Sequence, residues 1–318
     1  MAGRQHEHGP KGDAGYADHH PPGHAHTAAD FGRAFAIGTA LNLAFVLIEV
    51  AGAILANSTA LLADAGHNLG DVLGLVGAWV AATLAKRLPS ARYTYGLRSG
   101  TILASLANAA TLLVSIGAIL VEALRRLVAP APVAAAWVVA VALIGIAVNG
   151  ATALLFAAGR RGEINVRSVF LHMAGDAVIS AGVVVAALGV AATGWNRIDP
   201  VASIMIVAAI GWSTWGLFRE SLAMMLDAVP PGIHPEEVRA YLLALPGVVA
   251  IHDLHIWPMS TTETALTCHL VMPGAAPGPE FLAETGRTLA RRFAIGHPTL
   301  QVERTIEVTC VLAPDHVV

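Results

Sequence analysis

Six apolar segments, each about long enough to cross a lipid bilayer as a helix, dominate this chain. A helix rises ~1.5 Å per residue, so about 20 apolar residues span the hydrocarbon core. Of the 318 residues, 55% are hydrophobic and only 13% are charged, well below the roughly 25% of a soluble domain. The sequence therefore predicts an α-helical membrane protein with a six-helix transmembrane bundle in residues 32–220. The predicted spans are Phe35–Leu55, Thr59–Ala85, Ile102–Ala123, Val133–Ala158, Val169–Ala192 and Ile198–Phe218.

Basic residues are distributed unevenly between the two sides of the predicted bundle. Loops rich in lysine and arginine stay in the cytoplasm when a membrane protein inserts. The opposite connections carry fewer basic residues, namely Arg125, Arg126 and Arg197. This bias predicts cytoplasmic N- and C-termini, and we expect the cell (inner) membrane as the location. The segments after the second, fourth and sixth spans carry Lys86, Arg87, Arg92, Arg98, Arg160, Arg161, Arg167 and Arg219.

The sequence becomes typical of a soluble protein after the sixth span. Residues 221–312 read as helix, strand, strand, helix, strand, with MSTT as the turn between the first two strands. A region of this size can form a small α+β domain in which helices cover one sheet. Its two cysteines, Cys268 and Cys310, cannot build a disulfide framework, which fits a reducing compartment. We expect residues 313–318 to be a short tail.

A polar arm, residues 1–31, precedes the first span and is rich in histidine, glycine and proline. Its composition indicates a flexible cytoplasmic segment, which is either a weak collector of metal ions or a solvated spacer. Its histidines are His6, His8, His19, His20, His24 and His26.

Two pairs of ionisable residues interrupt the apolar spans. His67 and Asp71 lie in the second span, and His172 and Asp176 lie in the fifth, each pair with the spacing H-x-x-x-D. Residues four apart lie one above the other on a helix, so each pair presents an imidazole and a carboxylate on one face. A charge at bilayer depth costs at least ~2.5–3.5 kcal/mol. Either pair alone fits a buried polar link between helices, but two matched pairs predict one site with four ligands.

The four side chains suit a divalent metal ion. Two imidazole nitrogens and two carboxylate oxygens form a shell that a tetrahedral Zn²⁺ accepts, and Co²⁺, Cd²⁺ and Fe²⁺ fit the same ligands. The two carboxylates carry a charge of −2, which is neutralised either by one divalent cation or by protons on both imidazoles. Metal and protons can therefore compete for one site at nearly constant charge, which is the chemical basis of metal/proton antiport.

Other classes of function fit the sequence less well. An intramembrane metallohydrolase needs an open metal position and a general base, and a shell of four protein ligands leaves neither. We therefore expect neither an enzyme nor an organic cofactor. The net charge of −3 gives no reason to expect a nucleic-acid partner. A membrane metal sensor that signals through its tail without transport is the alternative from a different class.

The chain resembles the cation diffusion facilitator family of zinc transporters. The resemblance rests on the two H-x-x-x-D pairs, the six spans, and a tail with HDLHIW followed by CHLVM. The resemblance covers about Gly32–Glu307. It implies a homodimeric exporter that moves Zn²⁺ out of the cytoplasm in exchange for protons by alternating access. It also implies that the transport ligands are His67, Asp71, His172 and Asp176. A His-Asp pair on the second span is associated in this family with zinc preference over manganese or iron.

The resemblance further implies a ferredoxin-like C-terminal domain that dimerises and often binds regulatory metal. His252 in the first strand and His269 in the second match ligand positions of such domains, although both also fit ordinary strand residues. The last strand of these domains often ends in a histidine or an acidic ligand. Here it carries Gln301 and Glu303, which predicts a weaker or incomplete shell.

Three further residues lie near this predicted site. His255 is close to His252 in sequence. Cys268 is adjacent to His269, so its side chain should point to the opposite face of the strand, where it fits a small buried apolar residue. Cys310 could join a site in the tail, but nothing in its spacing supports that role.

Several polar residues in or beside the spans have more than one interpretation. Asp64, three residues before His67, fits a fifth ligand, a hydrogen-bond partner of a ligand, or a step on the exit path, and we favour the last two. Packing hydrogen bonds explain Glu49, Asn42 and Asn149 at least as well as transport does. Glu122 lies at a helix end beside Arg125 and Arg126, which favours a local ion pair.

Overall fold

The apolar segments form six long helices in the computed structural model, whose described residues are 28–157, 164–274, 277–304 and 310. Side chains are described in these ranges except at 28–41, 156–157 and 164–169. Five helices in the described residues are long and apolar enough to cross a membrane, and the described apolar part of the first helix is Asn42–Ala56. The six are α1 (Ala28–Ala56), α2 (Thr59–Ala85), α3 (Gly100–Val128), α4 (Ala135–Ala157), α5 (Ile164–Thr193) and α6 (Ile198–Met225).

The predicted fold class, a membrane-spanning helical bundle followed by a small α+β domain, is confirmed. Most of the helices are longer than the predicted spans, because helical hydrogen bonding continues past the apolar residues that mark the lipid-embedded part. In particular, α5 begins at Ile164 rather than Val169, and α6 continues to Met225 rather than Phe218. The histidine-rich arm up to residue 27, together with Arg160, Arg161 and residues 313–318, lies outside the described residues.

The connections define two ends of the bundle. At the end where α1 joins α2, which we call the turn end, Arg126 donates hydrogen bonds to both oxygens of Asn57. Arg197, before α6, donates to a carbonyl near the end of α3 at the same end. At the opposite end, which we call the domain end, Arg98 from the α2–α3 loop forms a 2.8 Å ion pair with Glu263 of the C-terminal domain.

Small residues permit close contacts between the helices. A Cβ atom on Gly70 would lie 2.0 Å from Cδ2 of Leu112, so α2 and α3 approach too closely for a larger side chain at that position. In lipid, close packing of this kind supplies the van der Waals contacts that hold helices together. α4 packs along α5, α3 packs along α6, and α2 contacts α5. The contact between α2 and α5 brings together the two helices that carry the H-x-x-x-D pairs.

A buried carboxylate joins the start of α2 to the start of α6. Asp199, which is 3% exposed, accepts hydrogen bonds from the hydroxyl of Ser58 and from the backbone N–H and hydroxyl of Thr59. The Ser58 hydroxyl also caps α2 by accepting from the N–H of Leu61. These donors replace water around the carboxylate, since a buried charge without partners is costly. α2 and α6 are therefore fixed to each other at the turn end.

The C-terminal domain has one three-stranded sheet with β2 in the centre. β1 pairs antiparallel with β2, and β2 pairs parallel with β3. This register places His269 between His252 and Gln301 on the two neighbouring strands. Leu242 and Leu289 from the two helices are fully buried against the sheet, and the predicted α-β-β-α-β order is confirmed. The elements are α7 (Pro235–Leu243), β1 (Ala250–Pro258), β2 (Thr264–Val271), α8 (Pro279–Phe293) and β3 (His297–Glu303).

Candidate metal centre

The two H-x-x-x-D pairs meet between α2 and α5, each contacting the other. Nε2 of His67 lies 3.5 Å from Oδ2 of Asp71 on its own helix and 3.5 Å from Oδ1 of Asp176 on α5. Nε2 of His172 lies 3.3 Å from Oδ2 of Asp71 and 3.7 Å from Oδ2 of Asp176. Each imidazole therefore faces both carboxylates, and the structure brings all four predicted ligands together. We call these four residues the quartet.

The nitrogen–oxygen distances within the quartet are close to those around a tetrahedral metal ion. In a tetrahedron the distance between two ligand atoms is about 1.6 times the metal–ligand bond, which gives ~3.3–3.4 Å for the ~2.0–2.1 Å bonds of zinc to nitrogen and oxygen. The four nitrogen–oxygen distances of 3.3–3.7 Å are close to this value. One ligand atom from each of His67, Asp71 and Asp176 lies within 4.8 Å of the other two. His172 is not part of this tighter group of three.

The length of α5 explains how the two pairs reach the same depth. A helix that began at Val169 would leave Asp176 nearer the domain end than Asp71. Because α5 begins at Ile164, Asp176 lies ~18 Å along its helix, and Asp71 lies ~21 Å from the domain end of α2, at ~1.5 Å per residue. The extra helical residues at the start of α5 therefore remove most of the difference in depth.

The quartet is more accessible from one end of the bundle than from the other. The side chain of Asp176 is 4% exposed and that of His67 is 14% exposed. Exposure rises to 25% for Asp71 and 44% for His172, the two members nearest the domain end. Toward the turn end, Asp64 is fully buried. The quartet members nearest the domain end are therefore the more exposed ones, and Asp64 on the turn-end side is buried.

A second polar cluster closes the turn-end side of the quartet. Asp64 accepts a 2.8 Å hydrogen bond from the hydroxyl of Ser180, and Glu49 of α1 accepts a 2.7 Å hydrogen bond from the amide of Asn68. Asp64 therefore makes its hydrogen bond outside the quartet. Elsewhere in the bundle, the predicted local ion pair at Glu122 is present, with Arg126 at 2.9 Å.

The C-terminal sheet brings a second group of metal-binding side chains together. Oε1 of Glu303 lies 2.8 Å from Nδ1 of His269 and 3.3 Å from Nε2 of His252, and Sγ of Cys310 lies 3.6 Å from Nδ1 of His269. One ligand atom from each of the four residues lies within 4.8 Å of the others. Nε2 of His252 is buried without a hydrogen bond among the described residues. Two nitrogens, one thiol and one carboxylate form a ligand set that zinc accepts.

Burial and hydrogen bonding act in opposite directions on Glu303. Burial favours its neutral form, but hydrogen bonds from His269 and Cys310 and the nearby His252 stabilise the carboxylate. The net result is a pKa of Glu303 below its ordinary value. The carboxylate is therefore held in the ionised form that a metal ion requires.

Asp253 lies beside this group in an unusual backbone conformation. Its φ is 53°, and the pairing of β1 with β2 is irregular between His252 and His255. This bulge places Oδ2 of Asp253 3.5 Å from Nε2 of His269 and Oδ1 2.9 Å from Nε2 of His255. Asp253 therefore contacts both His255 and His269. The sequence analysis predicts no role for Asp253, although its position next to His252 in the HDLH run is a usable signal.

Comparisons with known proteins identify the family to which both parts of the chain are similar. Residues 35–226 match the model of the cation efflux transmembrane domain, and residues 230–305 match that of the cation efflux protein cytoplasmic domain. The chain is 34% identical over 291 residues to the metal cation efflux system protein CzcD of Cupriavidus metallidurans, covering 91% of this chain and 90% of that protein. The chain belongs to the cation efflux family.

Two further relatives are similar over most of their length. Zinc transporter ZitB of Escherichia coli is 33% identical over 261 residues, which covers 81% of this chain and 83% of ZitB. The cadmium, cobalt and zinc/H(+)-K(+) antiporter of Bacillus subtilis is 30% identical over 286 residues, which covers 88% of this chain and 92% of the relative. The predicted membership of the cation diffusion facilitator family is confirmed, and this cation efflux protein is a multi-pass membrane protein.

The two cysteines of this cation efflux protein have different environments. Cys268 is fully buried in the core of the domain, which confirms its prediction as a small apolar residue, and burial raises the pKa of its thiol to about 12. Cys310 is only partly buried and lies against His269. No spacing in the sequence predicts this role for Cys310, because residues 269 and 310 are 41 positions apart.

Proposed function

We propose that this protein exports divalent cations from the cytoplasm, with Zn²⁺ as the principal substrate, in exchange for protons. The observation that carries the proposal is the nitrogen–oxygen spacing of the quartet, 3.3–3.7 Å, at bilayer depth between two helices. The two carboxylates neutralise the charge of one divalent cation, and the two neutral imidazoles add ligands without adding charge, so no buried net charge remains. His67, Asp71, His172 and Asp176 are then the residues that carry the cation across.

Proton exchange follows from the charge of the same four residues. When the cation leaves, the two carboxylates retain a charge of −2, and protons on the two imidazoles restore neutrality. Each imidazole already lies 3.3–3.7 Å from two carboxylate oxygens, so a protonated ring has an ion-pair partner on both helices. The site therefore alternates between metal and protons while its total charge stays near zero.

The accessibility of the quartet supports a direction of transport. The domain end carries the basic α2–α3 loop and the C-terminal domain, which the distribution of lysine and arginine assigns to the cytoplasm. The two quartet members nearest this end are the more exposed ones, and Asp64 on the turn-end side is fully buried. This arrangement corresponds to an inward-facing state that loads metal from the cytoplasm, and release requires opening at the turn end.

The relatives support the choice of substrate and of the coupled ion. ZitB is named a zinc transporter, CzcD a metal cation efflux protein, and the Bacillus subtilis relative a cadmium, cobalt and zinc/H(+)-K(+) antiporter. Cd²⁺, Co²⁺ and Fe²⁺ are the alternative or additional substrates, since they accept the same ligands. We place the protein in the cell membrane as a homodimer, with both termini cytoplasmic and with the C-terminal domain as the dimerising part.

We assign a regulatory metal site to His252, His269, Glu303 and Cys310 in the C-terminal domain. Their ligand atoms lie within 4.8 Å of one another and include a thiol, which zinc binds strongly. This assignment extends the sequence prediction, which named the two histidines and expected a weaker shell. Glu303 and Cys310 complete a set of four.

Thiol labelling tests this regulatory site. In the native protein at pH 8 we expect a maleimide to label Cys310 and not Cys268, whose thiol with a pKa of about 12 has a thiolate fraction at least ~1,000-fold below that of an ordinary thiol. Added Zn²⁺ should protect Cys310. Denaturant should expose both cysteines to labelling, as the control. Labelling of Cys310 at the same rate with and without Zn²⁺ would remove it from the ligand set.

Metal flux in proteoliposomes tests the proposed function. Purified protein is reconstituted into vesicles with an imposed pH gradient, and Zn²⁺, Cd²⁺, Co²⁺ and Fe²⁺ are offered in separate experiments. We expect Zn²⁺ movement that requires the pH gradient and is accompanied by proton movement in the opposite direction. A metal sensor without transport would bind Zn²⁺ and give no flux, and that outcome would replace our proposal with the alternative class.

A further inference from the structure

The cluster between the quartet and the turn end contains two acidic side chains in direct contact. Glu49 of α1 and Asp64 of α2 are both 0% exposed. Their carboxyl groups lie within hydrogen-bonding reach of each other. Asn68 donates to Oε2 of Glu49 and Ser180 donates to Oδ2 of Asp64, which accounts for one oxygen of each residue. We call Glu49 and Asp64 the acidic pair.

The two remaining oxygens of the acidic pair lack a donor. Oε1 of Glu49 and Oδ1 of Asp64 are buried and have no hydrogen-bond donor among the described residues. An ionised carboxylate only accepts hydrogen bonds, so two carboxyl groups can bond to each other only when one of them carries a proton. Two ionised carboxylates in contact, away from water and from any described lysine or arginine, would be very costly. The contact therefore requires a proton.

The acidic pair lies on the turn-end side of the quartet, and both of its members are fully buried. Asp64 is one helical turn from His67, and Ser180 is one turn from Asp176, so the pair lies next to the quartet in the direction of the turn end. The charged and titratable groups that face it are His67 on α2 and Asp176 on α5, while the described part of α1 supplies Glu49 alone. A proton that enters from the turn end meets the acidic pair before it meets the quartet.

We propose that Glu49 and Asp64 bind one proton between them and deliver it to the quartet from the turn-end side when the metal leaves. This inference rests on the proposed metal/proton exchange. In the delivery step an O–H bond at the acidic pair breaks, the proton passes to the ligands that the metal has left, and the pair regains a proton from the solution at the turn end. No electrons are transferred, and the pair is neither a metal ligand nor part of the regulatory site.

Infrared spectroscopy and flux measurements together test the acidic pair. Glu49→Gln keeps the shape and places an amide N–H where the proton would lie, so the contact with Asp64 survives without a removable proton. In the full-length protein in detergent, we expect the carbonyl band of a protonated carboxylic acid to be lost in both Glu49→Gln and Asp64→Asn. In proteoliposomes, we expect acid on the turn-end side to stimulate Zn²⁺ flux in the wild type and not in Glu49→Gln.

The controls separate this inference from the proposed function and from a structural role. Glu122→Gln changes a partly exposed glutamate on α3 that pairs with Arg126, and it should keep both the band and the acid stimulation. A structural role for the pair predicts a wild-type pH profile in Glu49→Gln, because the substitution is isosteric, and that result would overturn the inference. An unchanged infrared band would also overturn it. Absence of Zn²⁺ flux in the wild type would instead contradict the exchange itself, while the infrared result would still report on the proton.

Discussion

Replacement of Asp176 by asparagine should abolish zinc transport. The substitution keeps the shape of the side chain but removes one negative charge, so a bound Zn²⁺ would leave an uncompensated positive charge in a buried site. Mutation of a residue that only supports a metal ligand lowers metal affinity ~10–100-fold. Loss of a ligand carboxylate should therefore reduce Zn²⁺ flux by on the order of 100-fold or more. The measurement is initial Zn²⁺ flux into proteoliposomes at a fixed pH gradient.

A matched asparagine substitution serves as the control for Asp176. Asp227 follows α6 in an exposed turn with φ 57°, a conformation that asparagine also adopts. Asp227→Asn should therefore keep wild-type flux, and both variants should show the same thermal stability and elution volume in detergent. Retention of zinc flux by a folded Asp176→Asn variant would mean that the quartet is not the transport site.

Replacement of Asp199 by alanine should produce the largest loss of stability in the membrane domain. The change removes the acceptor of three hydrogen bonds from Ser58 and Thr59, and it leaves those donors buried at the contact of α2 with α6. Breaking a buried charged network by removing one partner costs about 3–5 kcal/mol. Each kcal/mol of lost unfolding free energy lowers the Tm by roughly 2–4 °C. We therefore expect the Tm in detergent to fall by about 10 °C.

An acidic residue on the same helix supplies the comparison for Asp199. Glu220 is exposed on α6, and Glu220→Ala should change the Tm by less than about 2 °C, as surface substitutions usually do. Asp199→Asn, which retains one acceptor oxygen, should lie between the two. If Asp199→Ala unfolds at the wild-type temperature, the hydrogen bonds to Asp199 do not stabilise the contact of α2 with α6 at the turn end.

The sequence determined those features that depend on neighbours along the chain. The length of the apolar segments sets the number of helices, because backbone hydrogen bonds within a helix need no distant partner. The four-residue spacing of His67 with Asp71, and of His172 with Asp176, places each pair on one helical face for the same local reason. Alternating residues likewise indicated the strands that carry His252 and His269. The fold class and the quartet followed from these local patterns, and the family followed from the resemblance of the motifs.

Only the tertiary structure decided which distant residues meet. The antiparallel packing of α2 on α5 brings the quartet to 3.3–3.7 Å, and α5 begins at Ile164, five residues before the predicted apolar span. Cys310 joins His269 across 41 positions, and no periodic pattern connects them. Glu49 and Asp64 belong to different helices, so their shared proton follows from helix packing. Such contacts depend on the shape of whole helix surfaces, and a single stretch of sequence does not contain that information.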